Sequence, residues 1–309
     1  VKNDPVGVEF GGTLTISKVI ESLKKKDNGG SPSRGGDVSK KIANHMEKIA
    51  SGFIRNTGSI GGNLVMAQRK CFPSDIATIL LAVDSEVDIM NGARSETVML
   101  EDFLKRPPLD PKSVLLSVKI PNMEAVRKVS PETNTMLLFE TYRAAPRPLG
   151  RALAYLNAAF LAEVSFGKIS NGIMVDHCRL AFGAYGTKHA IRARKVEEFL
   201  TGKVLSPGVL YDAIKLVRDV VVPEEGTTSP AYRSSLAAGF LFEFFSPLID
   251  SEYDISNDFL GTTLLADSSK LKRNQGANDE MTTVLSSAKQ VLELSTEYDP
   301  VGKPITKSG

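Results

Sequence analysis

The chain has 309 residues, an apolar fraction of 42%, a charged fraction of 24% and a formal net charge of +2. That composition suits one large globular domain or two. It argues against a nucleic-acid partner or an anionic-membrane patch, no apolar run reaches the length of a bilayer span, and two cysteines, Cys71 and Cys178, form neither a disulfide framework nor a metal spacing. Such cysteine usage fits a reducing compartment, so a cytoplasmic location is expected.

Val1-Lys2-Asn3-Asp4-Pro5 has neither a charged nor an apolar signal region. Residues 6–14 predict a strand and 17–24 a helix. Lys24-Lys25-Lys26 reads as a solvated face, and residues 27–37 are a Gly/Ser/Pro-rich loop. Ile42, Met46 and Ile49 then share one helical stripe. Next comes Ile54-Arg55-Asn56-Thr57-Gly58-Ser59-Ile60-Gly61-Gly62-Asn63-Leu64-Val65-Met66. Glycines at this density can bare backbone N–H groups to a ligand. Gly61-Gly62-Asn63 is therefore a candidate phosphate cradle, with Ser59 and Asn63 as side-chain donors. The alternative is a tight turn between two packed segments. Phe72-Pro73-Ser74-Asp75 follows, with Ser74 as N-cap and Asp75 in the first turn of a helix carrying Ile76, Ile79, Leu80 and Val83.

Val87 and Ile89 alternate with Glu86 and Asp88, and Asn91-Gly92 predicts a hairpin turn. Val114, Leu116, Val118 and Ile120 alternate as a half-buried strand ending at Pro121. That pattern puts Leu115 on the opposite face. Residues 122–134 are polar and irregular, dividing a unit over 1–122 from one over 135–248. The second predicts three strands near 136–143, 152–166 and 173–186, with Ser170-Asn171-Gly172 as a turn. Helices are expected near 189–201, 206–221 and 229–246. Strands and helices are segregated, so the fold class is α+β. Residues 249–309 read as a linker with one helix near 279–295.

His45, His177 and His189 share no metal-ligand spacing, and His45 and His189 read as surface or packing residues. The chain has no nucleophile elbow, no H-E-x-x-H and no G-x-G-x-x-G after a strand. These residues describe a binding site, with no catalytic group and no metal ligand.

The pattern Ile54-Arg55-Asn56, Ser59-Ile60-Gly61-Gly62-Asn63, Pro73-Ser74-Asp75 and an apolar helix resembles the FAD-binding (PCMH-like) domain of the molybdenum hydroxylases. That family holds xanthine dehydrogenase, aldehyde oxidase and the flavoprotein subunit of carbon monoxide dehydrogenase. Residues 179–187 and 193–203 resemble its C-terminal subdomain, and 298–304 resemble the linker entering the molybdenum domain. Residues 139–150 look most like plant aldehyde oxidases. The resemblance implies FAD as cofactor, held by Gly58, Ser59, Ile60, Gly61, Gly62 and Asn63 at its diphosphate and ribityl chain. It implies Asp75 at the ribityl or ribose hydroxyls and Leu115 against the flavin ring, with weaker support for Ile49 and Ala50. A molybdenum cofactor and two 2Fe–2S clusters are implied on other parts of the same polypeptide, together with a homodimer.

Two departures from the family pattern matter. Its N-terminal FAD loop has no counterpart, so the chain is expected to be a piece truncated there that alone binds FAD poorly or not at all. Where xanthine dehydrogenases carry a lysine and an acidic loop, residues 140–151 carry Arg143, Arg147, Arg151, Pro146 and Pro148, and no acid after Glu140. That change favours O₂ over NAD⁺ as electron acceptor. The leading expectation is the flavin module of an aldehyde oxidase. The alternatives are a module reducing NAD⁺ and a scaffold that binds no flavin.

Overall fold

The computed structural model describes residues 1–25, 38–70, 72–123, 135–146, 153–166, 172–184, 189–224 and 229–250. Asp4 reverses the chain at its start. Its Oδ1 accepts from the N–H of Val6 (2.9 Å) and of Gly7 (2.7 Å), folding β1 (Lys2–Asp4) onto β2 (Gly7–Gly11). The strand expected over 6–14 is thus one arm of a hairpin. Helices α1 (Ile16–Lys25) and α2 (Val38–Glu47) follow. Two unexpected helices come next, α3 (Gly52–Thr57) and α4 (Ile60–Lys70), in place of a glycine-rich cradle or tight turn. α5 (Asp75–Ala82) starts as expected, with Ser74 Oγ accepting from the Ala77 N–H at 2.9 Å.

β3 (Glu86–Asn91) and β4 (Arg94–Met99) form the expected hairpin, with Gly92 at φ +60°. After α6 (Leu100–Lys105), β5 (Ser113–Pro121) closes an antiparallel sheet of order β1-β2-β5-β3-β4. Val8, Phe10, Val87 and Val118 lie in one core with Ile42, Met46, Leu64 and Ile79 from the helices.

β5 changes face halfway. Asp88 pairs with Ser117 and Ile89 with Leu115, so Leu116 is an extra residue without a partner on β3. Val118 and Ile120 point into the core, and after the bulge so does Leu115, while Val114 and Leu116 are exposed. Strict alternation across this strand is overturned: Leu115 shares the core with Val118 and Ile120.

The second sheet has order β6-β7-β8-β9, from β6 (Thr135–Ala144), β7 (Leu156–Phe166), β8 (Ile173–Gly183) and the short β9 (Ile191–Arg192). Three strands were expected; β9 is only two residues long and lies inside the stretch expected to open a helix. α7 (Arg194–Leu200), α8 (Pro207–Val220) and α9 (Pro230–Asp250) complete the lobe. β7 is apolar on both faces. Ala159 and Leu161 join the first core, while Ala158, Phe160 and Ala162 join a second core with α7, α8 and α9. The second sheet is therefore a middle layer, with α5 packed on its inner face across β7 and β8 and α2 against β6. The expected linker over 249–309 begins inside α9, which runs to Asp250; the rest of it from 251, its helix near 279–295 and the Ser170-Asn171 turn lie outside the described residues. No helix among the described residues is long and apolar enough to cross a membrane.

Candidate functional site

The glycine-rich segment is a helix junction. The Gly58 N–H closes α3 on Ile54 O at 2.7 Å, and Gly58 O accepts from Ile16 N–H at 3.0 Å. Ser59 lies in an isolated antiparallel bridge with Thr15, and α4 starts one residue later. Every first-turn N–H of α4 is satisfied within the chain. Ile60 donates to Leu14 O (3.0 Å), Gly61 to Gly12 O (2.9 Å), Gly62 to Ser59 Oγ (3.1 Å) and Asn63 to Ser59 O (3.0 Å). The expected cradle of bared amides is absent here, because Ile60, Leu64 and Ala67 continue a helical stripe into the core.

What stays open is an edge one turn wide. Gly62 is exposed, and a Cβ there would meet only Ser59 Oγ, at 2.9 Å. Asn63 is half-buried. Its Oδ1 accepts from Ser74 Oγ at 2.5 Å, tying the start of α4 to the start of α5, and its amide nitrogen makes no hydrogen bond among the described residues. Ile60 and Gly61 are buried behind this edge.

Asp75 sits next to that tie and is buried. Its Oδ1 lies 3.2 Å from His45 Nε2 on α2 and 3.1 Å from Arg143 Nε on β6, with all three side chains 5% exposed or less. The carboxylate expected at the helix start therefore joins three elements and both lobes. His45 and Arg143 were not anticipated as its partners. For His45 the signal was legible: three residues after Ile42 and one before Met46, it falls on the buried stripe of α2. For Arg143 there was none, since the contact spans 68 residues.

Leu115 is brought close through backbone. A Cβ on Gly12 would lie 2.2 Å from Leu115 O, and the Gly12 N–H donates to Leu116 O at 2.6 Å. Gly12 is thus wedged between the bulge of β5 and Gly61 of α4. Ala50 adopts φ +52°, and Arg55 Nη1 donates to Ile49 O (2.7 Å) and Ala50 O (2.8 Å). That guanidinium fixes the turn between α2 and α3.

A cofactor with hydroxyl-bearing and anionic parts fits the open edge only in part. The Ser59 hydroxyl, the bare Gly62 face, the Asn63 amide and the remaining Asp75 oxygen suit hydroxyls and close approach. The amides of α4 do not offer themselves to a phosphate.

Other polar contacts hold the lobes together around this site. Thr78 Oγ1 donates to Asn157 Oδ1 at 2.7 Å in the interior. Asp84, at φ +48°, pairs with Arg192 (2.7 Å) and Arg179 (2.6 Å), and Arg192 also pairs with Glu197 at 2.7 Å. Lys41 reaches Glu140 at 2.7 Å, and Arg194 pairs with Glu101. The Cys178 thiol is pushed up to about 12 by burial and by the Glu197 charge, which leaves it inert. No group of three potential metal ligands occurs among the described residues. Arg147, Pro148 and Arg151, invoked above for the acceptor, lie outside the described residues, and Arg143 is committed to Asp75.

Comparison with known proteins bears on the fold and the family. Residues 1–123 match the model for the FAD binding domain in molybdopterin dehydrogenase, and residues 140–248 match the CO dehydrogenase flavoprotein C-terminal domain. The chain is 52% identical over its whole length to an indole-3-acetaldehyde oxidase of Arabidopsis thaliana and 49% identical to an abscisic-aldehyde oxidase of the same plant. It spans 22% of the length of each of those two relatives. Among solved structures, quinoline 2-oxidoreductase of Pseudomonas putida 86 shares the fold with a TM-score of 0.59 at 20% identity, over 81% of this chain and 78% of that one. Carbon monoxide dehydrogenase of Hydrogenophaga pseudoflava gives 0.59 at 17%, over 81% and 77%.

Proposed function

Since the chain belongs to the flavin-domain family of the molybdopterin dehydrogenases, we propose that it is the FAD module of an aldehyde-oxidase-type molybdo-flavoenzyme. The observation that carries the reading is identity near 50% to plant aldehyde oxidases over the whole chain, through both lobes. FAD, when bound, supplies the redox chemistry that passes electrons onward to O₂. The chain's own residues bind and orient. Ser59 and Asn63 offer a hydroxyl and an amide at the start of α4, and Gly62 permits close approach. Asp75 accepts from a ribityl or ribose hydroxyl, while Leu115 and the bulge shape the wall behind Gly12. In the whole polypeptide, molybdenum and 2Fe–2S domains are the electron-donating partners, an aldehyde is the substrate, and the enzyme is a cytoplasmic homodimer.

Purified complete polypeptide tests this reading. A flavin absorption band with aldehyde-dependent O₂ uptake supports it. Brisk anaerobic NADH formation would move the protein to the NAD⁺-reducing branch. One observation favours a second reading, a scaffold without flavin: all four leading amides of α4 are satisfied internally. Absence of any flavin band from the complete polypeptide after FAD addition would establish it.

A further inference from the structure

The His45–Asp75 contact has a geometry that packing alone does not explain. His45 is 1% exposed and its Nδ1 is buried without a hydrogen-bond partner. Burying an unpartnered ring nitrogen costs free energy that an apolar side chain of similar size would avoid. The ring's other nitrogen makes one contact, with Asp75 Oδ1 at 3.2 Å. Arg143 Nε approaches the same oxygen at 3.1 Å from the opposite lobe. Oδ2 takes no hydrogen bond among the described residues, and it is not one of the buried polar atoms sealed from the surface.

Rotation of a carboxylate about its last torsion is soft and nearly two-fold. One donor on Oδ1 would leave the group free to swing. Two donors on a single oxygen, from α2 and from β6, define its plane and leave Oδ2 without a donor among the described residues. We propose that His45 is a positioning residue for Asp75, holding the carboxylate so that Oδ2 accepts from a vicinal hydroxyl of the cofactor's ribityl or ribose. This rests on the flavin reading above. Arg143 supplies the compensating charge; His45 supplies the direction.

The test uses the complete polypeptide, stripped of flavin and titrated with FAD while flavin fluorescence is followed. His45→Leu keeps the volume and removes the donor. It should weaken FAD binding roughly tenfold, the scale of one hydrogen bond to a charged group, while the melting temperature of the flavin-free protein is unchanged or higher. His45→Gln, whose amide reaches as far as Nε2, should bind FAD within about twofold of wild type. A purely structural histidine would show the reverse split, with altered melting and unaltered FAD affinity. If His45→Leu folds poorly, His45→Gln and His45→Asn are compared: Gln should bind near wild type, and Asn, one methylene short, should not. Wild-type affinity in His45→Leu, or equal affinity in the Gln and Asn variants, overturns the role of His45 and leaves the flavin reading intact. A wild-type protein that takes up no FAD overturns the flavin reading first and the proposal with it.

Discussion

Gly12 and Gly61 touch backbone to backbone: the Gly61 N–H donates to Gly12 O at 2.9 Å, and a Cβ on Gly61 would lie 2.6 Å from that oxygen. Because the obstacle is main chain, no side-chain rotation relieves it. Gly61→Ala should cost about 1–3 kcal/mol through overpacking. Gly62→Ala should cost less than about 1 kcal/mol, since only the Ser59 hydroxyl must move and alanine is the better helix former. Thermal unfolding of the two variants side by side checks the contrast. Under the flavin reading, Gly62→Val should then lower flavin content out of proportion to any loss of stability.

Asp75 carries more of the fold than an exposed first-turn carboxylate, worth about 0.3–1 kcal/mol, would. Asp75→Ala removes the carboxylate beside an Arg143 side chain that is 5% exposed. Breaking one side of a buried pair costs about 3–5 kcal/mol. Melting temperature should therefore fall together with flavin content. Asp75→Asn, which keeps an acceptor oxygen, should melt between the two. An unchanged melting temperature in Asp75→Ala would show that the network is dispensable.

Glu101 links α6 to Arg194 of the second lobe. Burial raises its pKa, but hydrogen bonds and charges from Arg194 and Lys105 outweigh that and hold it below the usual glutamate value. A carboxylate depressed in the folded state adds stability above its unfolded pKa and loses it as pH falls through the folded value. Glu101→Gln should therefore melt below wild type at pH 7. The gap should close as pH drops below the usual glutamate range. A gap that does not narrow at all as pH falls would assign the loss to packing.

Gly183 marks a tight contact between lobes. A Cβ there would lie 2.2 Å from Thr78 Oγ1 and 2.5 Å from Asn157 Oδ1, the two atoms of a buried hydrogen bond. Gly183→Ala should break that bond and cost about 1–3 kcal/mol. In the Thr78→Ala background the hydroxyl is gone, so the added cost should shrink. Equal costs in both backgrounds, read by thermal unfolding, would exclude the Thr78 hydroxyl as the cause.

Much of the fold was legible where local signals were strong. Ser74 capped α5, Asn91-Gly92 turned the β3–β4 hairpin, and Val118 and Ile120 faced the core as expected. The misreadings share one cause. Glycine-rich Gly58–Gly62 suggests bared amides or a tight turn, but Ser59 caps a helix there and the approach of Gly12 needs a residue without Cβ. Leu115 was put on the wrong face because a bulge is set by strand pairing and leaves no mark in alternation. Arg143 was hidden as a partner of Asp75 for the same reason: it arrives from β6 in the other lobe.

The bulge at Leu116 also makes β5 unforgiving of length. Deleting that single residue would let Ser117 and Leu115 join one continuous ladder, but only by rotating one half of the strand over. Either Leu115 would turn to solvent and Val114 inward, or Val118 and Ile120 would leave the interior. Gly12 would at the same time lose the carbonyl that receives its N–H. Insertions and deletions at this point should be rejected far more strictly than substitutions, although Leu116 itself is 39% exposed.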